Sequence, residues 1–108
     1  MGVNKTILVG RLGKTPNIVA NEKSVMTRFT LATNENYKDG DGNKKEKVEW
    51  HNVVAFGNRA QACVKYLNRG SQVYIEGKNA TRSYTKDDVT RYITEIQIKD
   101  IQFLDGKD

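Results

Sequence analysis

The apolar positions of this chain read mostly as strand. Residues 25–33, VMTRFTLAT, alternate loosely, with Phe29 and Leu31 on one face and Arg28 and Thr30 on the other. Residues 4–12, NKTILVGRL, hold a β-branched apolar run that ends at Gly13, and residues 47–56, KVEWHNVVAF, are strand-like throughout. Residues 71–76, SQVYIE, predict a short strand ended by Gly77, and a last strand over 89–104 begins VTRYITEIQI. Val, Ile, Thr, Tyr and Phe dominate these runs, as half-buried pleated surfaces favour. One segment breaks the pattern. Asn58 to Asn68 places Ala60, Cys63, Val64 and Leu67 at helical spacing, which predicts a helix of about three turns. Asn58 is its expected N-cap, with Gln61 completing a capping box, and Gly70 is its expected left-handed end.

Two polar stretches predict solvated hairpin tips. Lys38 to Lys45, KDGDGNKK, is rich in glycine and charge, and Lys86-Asp87-Asp88 makes a second tip. A bent hairpin arm is expected at Asn79–Thr85, before the last strand. The order is therefore three strands, a helix, then two strands. An all-β OB-fold, a five-stranded Greek-key barrel with one helix between strands three and four, has this order. Such barrels bind oligonucleotides across their middle strands and long loops. At 108 residues the chain fits one such domain over residues 1–108, with no internal repeat or linker.

The aromatic residues give that barrel a candidate chemistry. Tyr37, Trp50, Phe56 and Tyr84 are set among Lys, Arg, Asn and Thr and are not pooled in apolar blocks. Flat rings among cations suit a single-stranded nucleic acid, because bases stack on rings and cations follow phosphates. Any one ring could equally fill a small core. Charge points the same way: 18 Lys+Arg against 13 Asp+Glu give a formal net charge of +5, which suits an anionic partner. Trp50, Asn52, Val54 and Phe56 share one strand face, and His51, Val53 and Ala55 share the other. The Trp50 face is the one expected to meet the ligand, with Val54 its least suitable member.

Several function classes fit poorly. No apolar run approaches the roughly 20 residues of a spanning helix, and Met1-Gly2-Val3-Asn4-Lys5 lacks a secretory signal. The lone Cys63 fits a reducing cytosol, and it reads as a small buried hydrophobe. One His and one Cys far apart in sequence make a poor catalytic pair. Asp39-Gly40-Asp41-Gly42-Asn43 imitates a calcium loop, but Lys44 stands where the turn needs glycine and Trp50 where it needs glutamate. No enzyme, metal or cofactor is expected.

The motifs resemble those of the bacterial-type single-stranded DNA-binding proteins. They are Asn4-Lys5-Thr6-Ile7-Leu8-Val9-Gly10-Arg11-Leu12-Gly13, Thr30-Leu31-Ala32-Thr33, Glu49-Trp50-His51-Asn52-Val53-Val54-Ala55-Phe56-Gly57, and Tyr66 to Gly77. Thr81-Arg82-Ser83-Tyr84 and Arg91-Tyr92-Ile93-Thr94-Glu95 follow in the expected order. The resemblance implies sequence-independent binding of single-stranded DNA in replication, recombination and repair. It implies stacking roles for Trp50 and Phe56, and for Tyr37 and Tyr84 where well-known members have tryptophan. It implies phosphate contacts for Lys5, Arg69 and Arg82. Asn52, Asn58, Ala80 and Ser83 stand where some relatives are basic, and Arg11, Lys14 and Lys78 are expected to restore part of that charge. Lys38, at a hairpin tip, joins the expected phosphate contacts. His51, Gln72 and Tyr74 match subunit contacts in the family's homotetramer. Relatives continue into a flexible linker and an acidic tip that recruits other enzymes. The sequence ends at Phe103-Leu104-Asp105-Gly106-Lys107-Asp108 without one, as a truncated piece or a short natural form would, so tail-dependent partners are not expected of these residues.

Alternatives make distinct forecasts. An RNA-binding OB module would bind oligo-U as tightly as oligo-dT, or more tightly. A primosomal replication protein of related fold would form a stable dimer that docks on a helicase. An assembly protein whose rings are all core would leave Trp50 emission unchanged when poly-dT is added.

Overall fold

A computed structural model of the chain describes residues 2–20 and 24–105; Met1, residues 21–23 and Gly106 to Asp108 lie outside the described part. Six strands and one helix follow one another: β1 Thr6–Leu12, β2 Asn17–Ala20, β3 Val25–Lys38, β4 Lys44–Phe56, α1 Asn58–Tyr66, β5 Gln72–Lys86 and β6 Val89–Phe103. The sheet runs β1-β5-β6-β4-β3-β2, and a further β1–β3 pairing closes it. Five strands therefore form the closed OB barrel, with β4 and β6 parallel and the other pairs antiparallel. The short β2 lies outside the ring on the edge of β3, where Thr27 Oγ1 also donates to the Asn17 carbonyl at 2.7 Å.

Closure needs β1 to cross β3 closely. A Cβ on Gly10 would lie 2.2 Å from the carbonyl oxygen of Ala32, so only glycine permits the crossing. Gly77 does the same for β5, where a Cβ would lie 2.2 Å from the Gln97 carbonyl oxygen. The predicted end of β5 at Gly77 is thus a bend: the strand continues to Lys86 as the rising side of a hairpin arm. Opposite it, the register skips Lys99, because Glu76 pairs with Asp100 and Gly77 with Ile98. This bulge lets Ile98 and Ile101 both turn toward the core although they are an odd number of residues apart. Asn4 extends the β1–β5 pairing two residues beyond Thr6. Its side-chain Nδ2 donates to the Asn79 carbonyl at 2.8 Å, and its Oδ1 accepts from the Asn79 N–H at 3.0 Å.

The core is built from the inward positions of each strand. Leu12, Phe29, Leu31, Val53, Ala55, Val73, Ile75, Ile96 and Ile98 are buried together with Ala60, Cys63 and Leu67 from the helical segment. Burial pushes the Cys63 thiol up to about 11, so the residue packs as a hydrophobe, as its place on the apolar helix face predicts.

The helix begins differently from the expected capping box. Gly57 takes the N-cap position at φ 63°, with no side-chain cap, and Asn58 is already helical. The Gly57 N–H donates to the Val25 carbonyl at 2.8 Å, which pins the end of β4 and leaves Asn58 no extended conformation from which to cap. The helix is nine residues long and ends at Tyr66, short of Asn68. Gly70 is left-handed as expected, φ 88°, but it serves the turn Asn68–Ser71 beyond the helix. Both hairpin tips form where charge and turn residues predict them. Asp39 Oδ1 accepts from the N–H groups of Asp41 and Asn43, and Asp87 and Asp88 both adopt positive φ, as a two-residue hairpin turn requires.

Replacing Gly77 with alanine is expected to destabilise the fold by about 1–3 kcal/mol, the usual cost of forcing atoms into occupied space. Urea unfolding checks this; a variant as stable as the parent would show that β5 and β6 part freely.

Candidate nucleic-acid interface

The outer face of β4 carries Trp50, Asn52, Val54 and Phe56 while Val53 and Ala55 point into the barrel. Trp50 is 58% exposed and Phe56 46%, at opposite ends of this face and about 20 Å apart by strand rise. Val54, between them, is buried outside the core cluster, opposite Arg28 of β3 and Gln97 of β6. It is a sealed floor position between two open rings.

Trp50 is seated by what lies beneath it. A Cβ on Gly13 would come within 2.5 Å of indole Cζ3 and 2.8 Å of Thr30 Oγ1, so the ring lies across the bare Cα of Gly13. Beside it runs a groove of about 370 Å³, lined among others by Lys14, Thr30, Asn52, Arg28, Arg82 and Glu95. The β5–β6 arm forms one wall. After the bulge, Lys78, Arg82 and Tyr84 share its outer face, paired with Gln97, Ile93 and Arg91. The Arg82 guanidinium carbon lies 5.8 Å from the Tyr84 ring centroid, a cation over a π-face.

Arg82 and the barrel meet at Glu95. Glu95 is buried, and its two oxygens accept one hydrogen bond each, 2.8 Å from Arg28 Nε and 2.8 Å from Arg82 Nε. Burial alone would push this carboxyl up; the hydrogen bonds and charges of Arg82 and Arg28 outweigh it and hold it below the usual carboxylate range.

The remaining expected residues are more dispersed. Tyr37 is 51% exposed and pairs with Lys45, about 17 Å along β4 from Trp50 and on the alternate face of that hairpin. Lys38 stands one rung further, beside Lys44. Arg11 is exposed in the same cross-strand row as Ala32 and Trp50, and its Nη1 donates to the Gly70 carbonyl at 2.9 Å. Arg69 has an exposed side chain, and its backbone N–H is held by Thr15 Oγ1 at 3.0 Å, beside the groove. Lys5 is paired with Glu76 at 2.5 Å, away from the groove lining, and the Glu76 hydrogen bond raises its ammonium above the ordinary value. His51 shares a 2.9 Å hydrogen bond with Thr33 through Nε2. Gln72 and Tyr74 lie on β5 opposite Arg11 and Val9.

Arg28 and Glu95 are absent from the set that sequence reasoning selects. Their only signal is a charge beside an apolar inward residue of a strand, in Arg28-Phe29 and in Glu95-Ile96. Tyr92, 73% exposed, also escapes it, on the opposite arm face from Tyr84. Among the described residues no group of His, Cys, Asp and Glu could hold a metal ion, and no helix is long and apolar enough to cross a membrane.

A closed five-stranded Greek-key barrel with open rings and guanidinium groups on its middle strands is an OB-fold protein of the oligonucleotide-binding class. The comparisons narrow this. The chain belongs to the single-strand binding protein family, whose pattern it matches over residues 3–104. It is 47% identical, over 99% of its length, to single-stranded DNA-binding protein 1 of Chlorobaculum tepidum, and 44% identical, over 98%, to the single-stranded DNA-binding protein of Xanthomonas axonopodis. It spans 68% and 60% of those two relatives. Its fold superimposes on a Plasmodium falciparum SSB solved in complex with single-stranded DNA, with a TM-score of 0.86, 36% identity and 97% of both chains covered.

Replacing Gly13 with alanine is expected to lift the indole from its seat with little change in stability. Trp50 emission should shift to longer wavelength; an unaltered spectrum would place the ring elsewhere.

Proposed function

We infer that this chain binds single-stranded DNA without regard to base order and protects it during replication, recombination and repair. The observation that carries this reading is the outer face of β4, where Trp50 and Phe56 stand open and Asn52 between them lines a groove shared with Lys14, Arg28 and Arg82. Membership of the single-strand binding protein family and likeness to single-stranded DNA-binding relatives support the same ligand. Trp50, Phe56, Tyr84 and Tyr37 stack on bases. Arg82, Lys78, Lys38, Arg69 and Arg11 neutralise phosphates, and Lys5 does so once it leaves Glu76. Stacking accepts every base, since each has a π-face, while a duplex hides those faces. The rings therefore choose single strands, and they share the affinity with the cations. No chemical step is required of the protein, and its place is with the DNA of the cytoplasm.

Assembly into a homotetramer belongs to the same reading. Ile7 is 53% exposed and Val9 49%, both on the outward side of β1, and Val9 pairs with Tyr74. Together with Gln72 this offers an apolar patch to a second copy, and His51 supplies a further contact. Linked sites would then share one strand and raise its effective concentration.

Titration of Trp50 emission with oligo-dT of stepped lengths, at two salt concentrations, tests DNA binding. Emission should be quenched, and each phosphate neutralised should contribute about −0.7 to the log–log salt slope. Trp50→Ala, followed by a change in polarisation of labelled DNA, should weaken binding by about 1–3 kcal/mol. Absence of quenching at low salt would remove the reading. For assembly, Val9→Glu should yield a smaller species than the parent in sedimentation; equal masses would count against the β1 patch.

A further inference from the structure

We propose that Glu95 is a positioning residue for the DNA groove, orienting Arg28 and Arg82 toward the strand and holding the β5–β6 arm against the barrel. The proposal rests on the DNA-binding reading and adds an unexpected sign to it: a carboxylate inside an anion-binding groove strengthens binding.

The geometry argues for this role. Glu95 sits on β6, Arg28 on β3 and Arg82 on β5, so one buried carboxylate joins three strands. Both arginines approach through Nε, at 2.8 Å each, while about two fifths of each side chain stays open to solvent, 43% for Arg28 and 44% for Arg82. A planar guanidinium held at Nε has its orientation fixed, and its terminal nitrogens remain the natural phosphate donors. Arg82 then passes that order on, because its guanidinium lies over the Tyr84 ring. The carboxylate also separates two like charges that border the same groove. Without it they would repel, and the arm would lose its tie to β3.

A charge-only role makes the opposite forecast. If Glu95 merely repels phosphate, removing its charge should tighten binding. Glu95→Gln keeps the shape, but its amide can accept from one arginine only, since its NH₂ faces the other with a donor. The test titrates wild type and Glu95→Gln with oligo-dT across a salt series. The proposal expects the variant to bind on the order of tenfold more weakly, a loss in keeping with one charged hydrogen bond. It also expects a salt slope shallower by about 0.7, one phosphate contact fewer. Equal or tighter binding with an equal or steeper slope would overturn it. Glu95→Asp retains the charge but falls short of both arginines, and serves if the glutamine variant unfolds: weakened binding supports positioning, and wild-type binding overturns it. In an Arg28→Gln/Arg82→Gln background, Glu95→Gln has nothing left to orient, so its effect on affinity should vanish. A persisting effect there would assign Glu95 a merely structural role. Failure of wild type to bind oligo-dT would instead remove the DNA-binding reading itself.

Discussion

Two neighbouring side chains on a strand cannot share a face, and in β4 that rule ties the core to the groove. Val53 and Ala55 fill the barrel because Asn52, Val54 and Phe56 do not. A shift of one residue in the register with β3 would turn Phe56 inward and the core outward at once. Core packing thereby fixes the outward position of each ring. The open indole costs little, since Gly13 gives it a flat bed.

The second constraint is electrostatic. A groove meant for polyanions gathers cations, and cations on neighbouring strands push the strands apart. Here the answer is a buried acid shared between two guanidinium groups. A buried charge with both oxygens satisfied offsets its desolvation cost, which an unpaired one would carry in full. The arrangement also gives the arm a fixed direction, which the barrel's hydrogen-bond ladder alone does not provide beyond the Gly77 bend.

Much of this was legible in the order of residues. Alternation exposed the five barrel strands but not the short edge strand β2, helical spacing exposed α1, and glycine with charge exposed the first hairpin tip and charge alone the second. The rings expected to be open are open: Tyr37, Trp50, Phe56 and Tyr84 are each at least 40% exposed. What was hidden depends on partners distant along the chain. Asn58 carries a good cap side chain, yet the hydrogen bond from Gly57 to Val25 decides the start of the helix. Gly77 looks like a stop because a glycine gives no hint that Lys99, across the ladder, will bulge. Arg28 and Glu95 are 67 residues apart, and no local pattern announces their pairing. The face of Tyr37 depends on the register of a hairpin whose charged pairs would allow either.

Both long hairpins outrun the barrel. From Asn34 to Lys38 and Lys44 to Val48, and again beyond Arg82 from Ser83 to Lys86 and Val89 to Tyr92, the ladder continues with every residue exposed. Paired strands without a core beneath them have only local stability, so they open and close far more often than the closed ring. A nucleotide chain therefore meets a stiff floor between walls whose outer ends yield, the β5–β6 arm being held only as far as Arg82. Those ends can follow the irregular path of an unpaired strand, while the spacing of the rings on the floor stays constant.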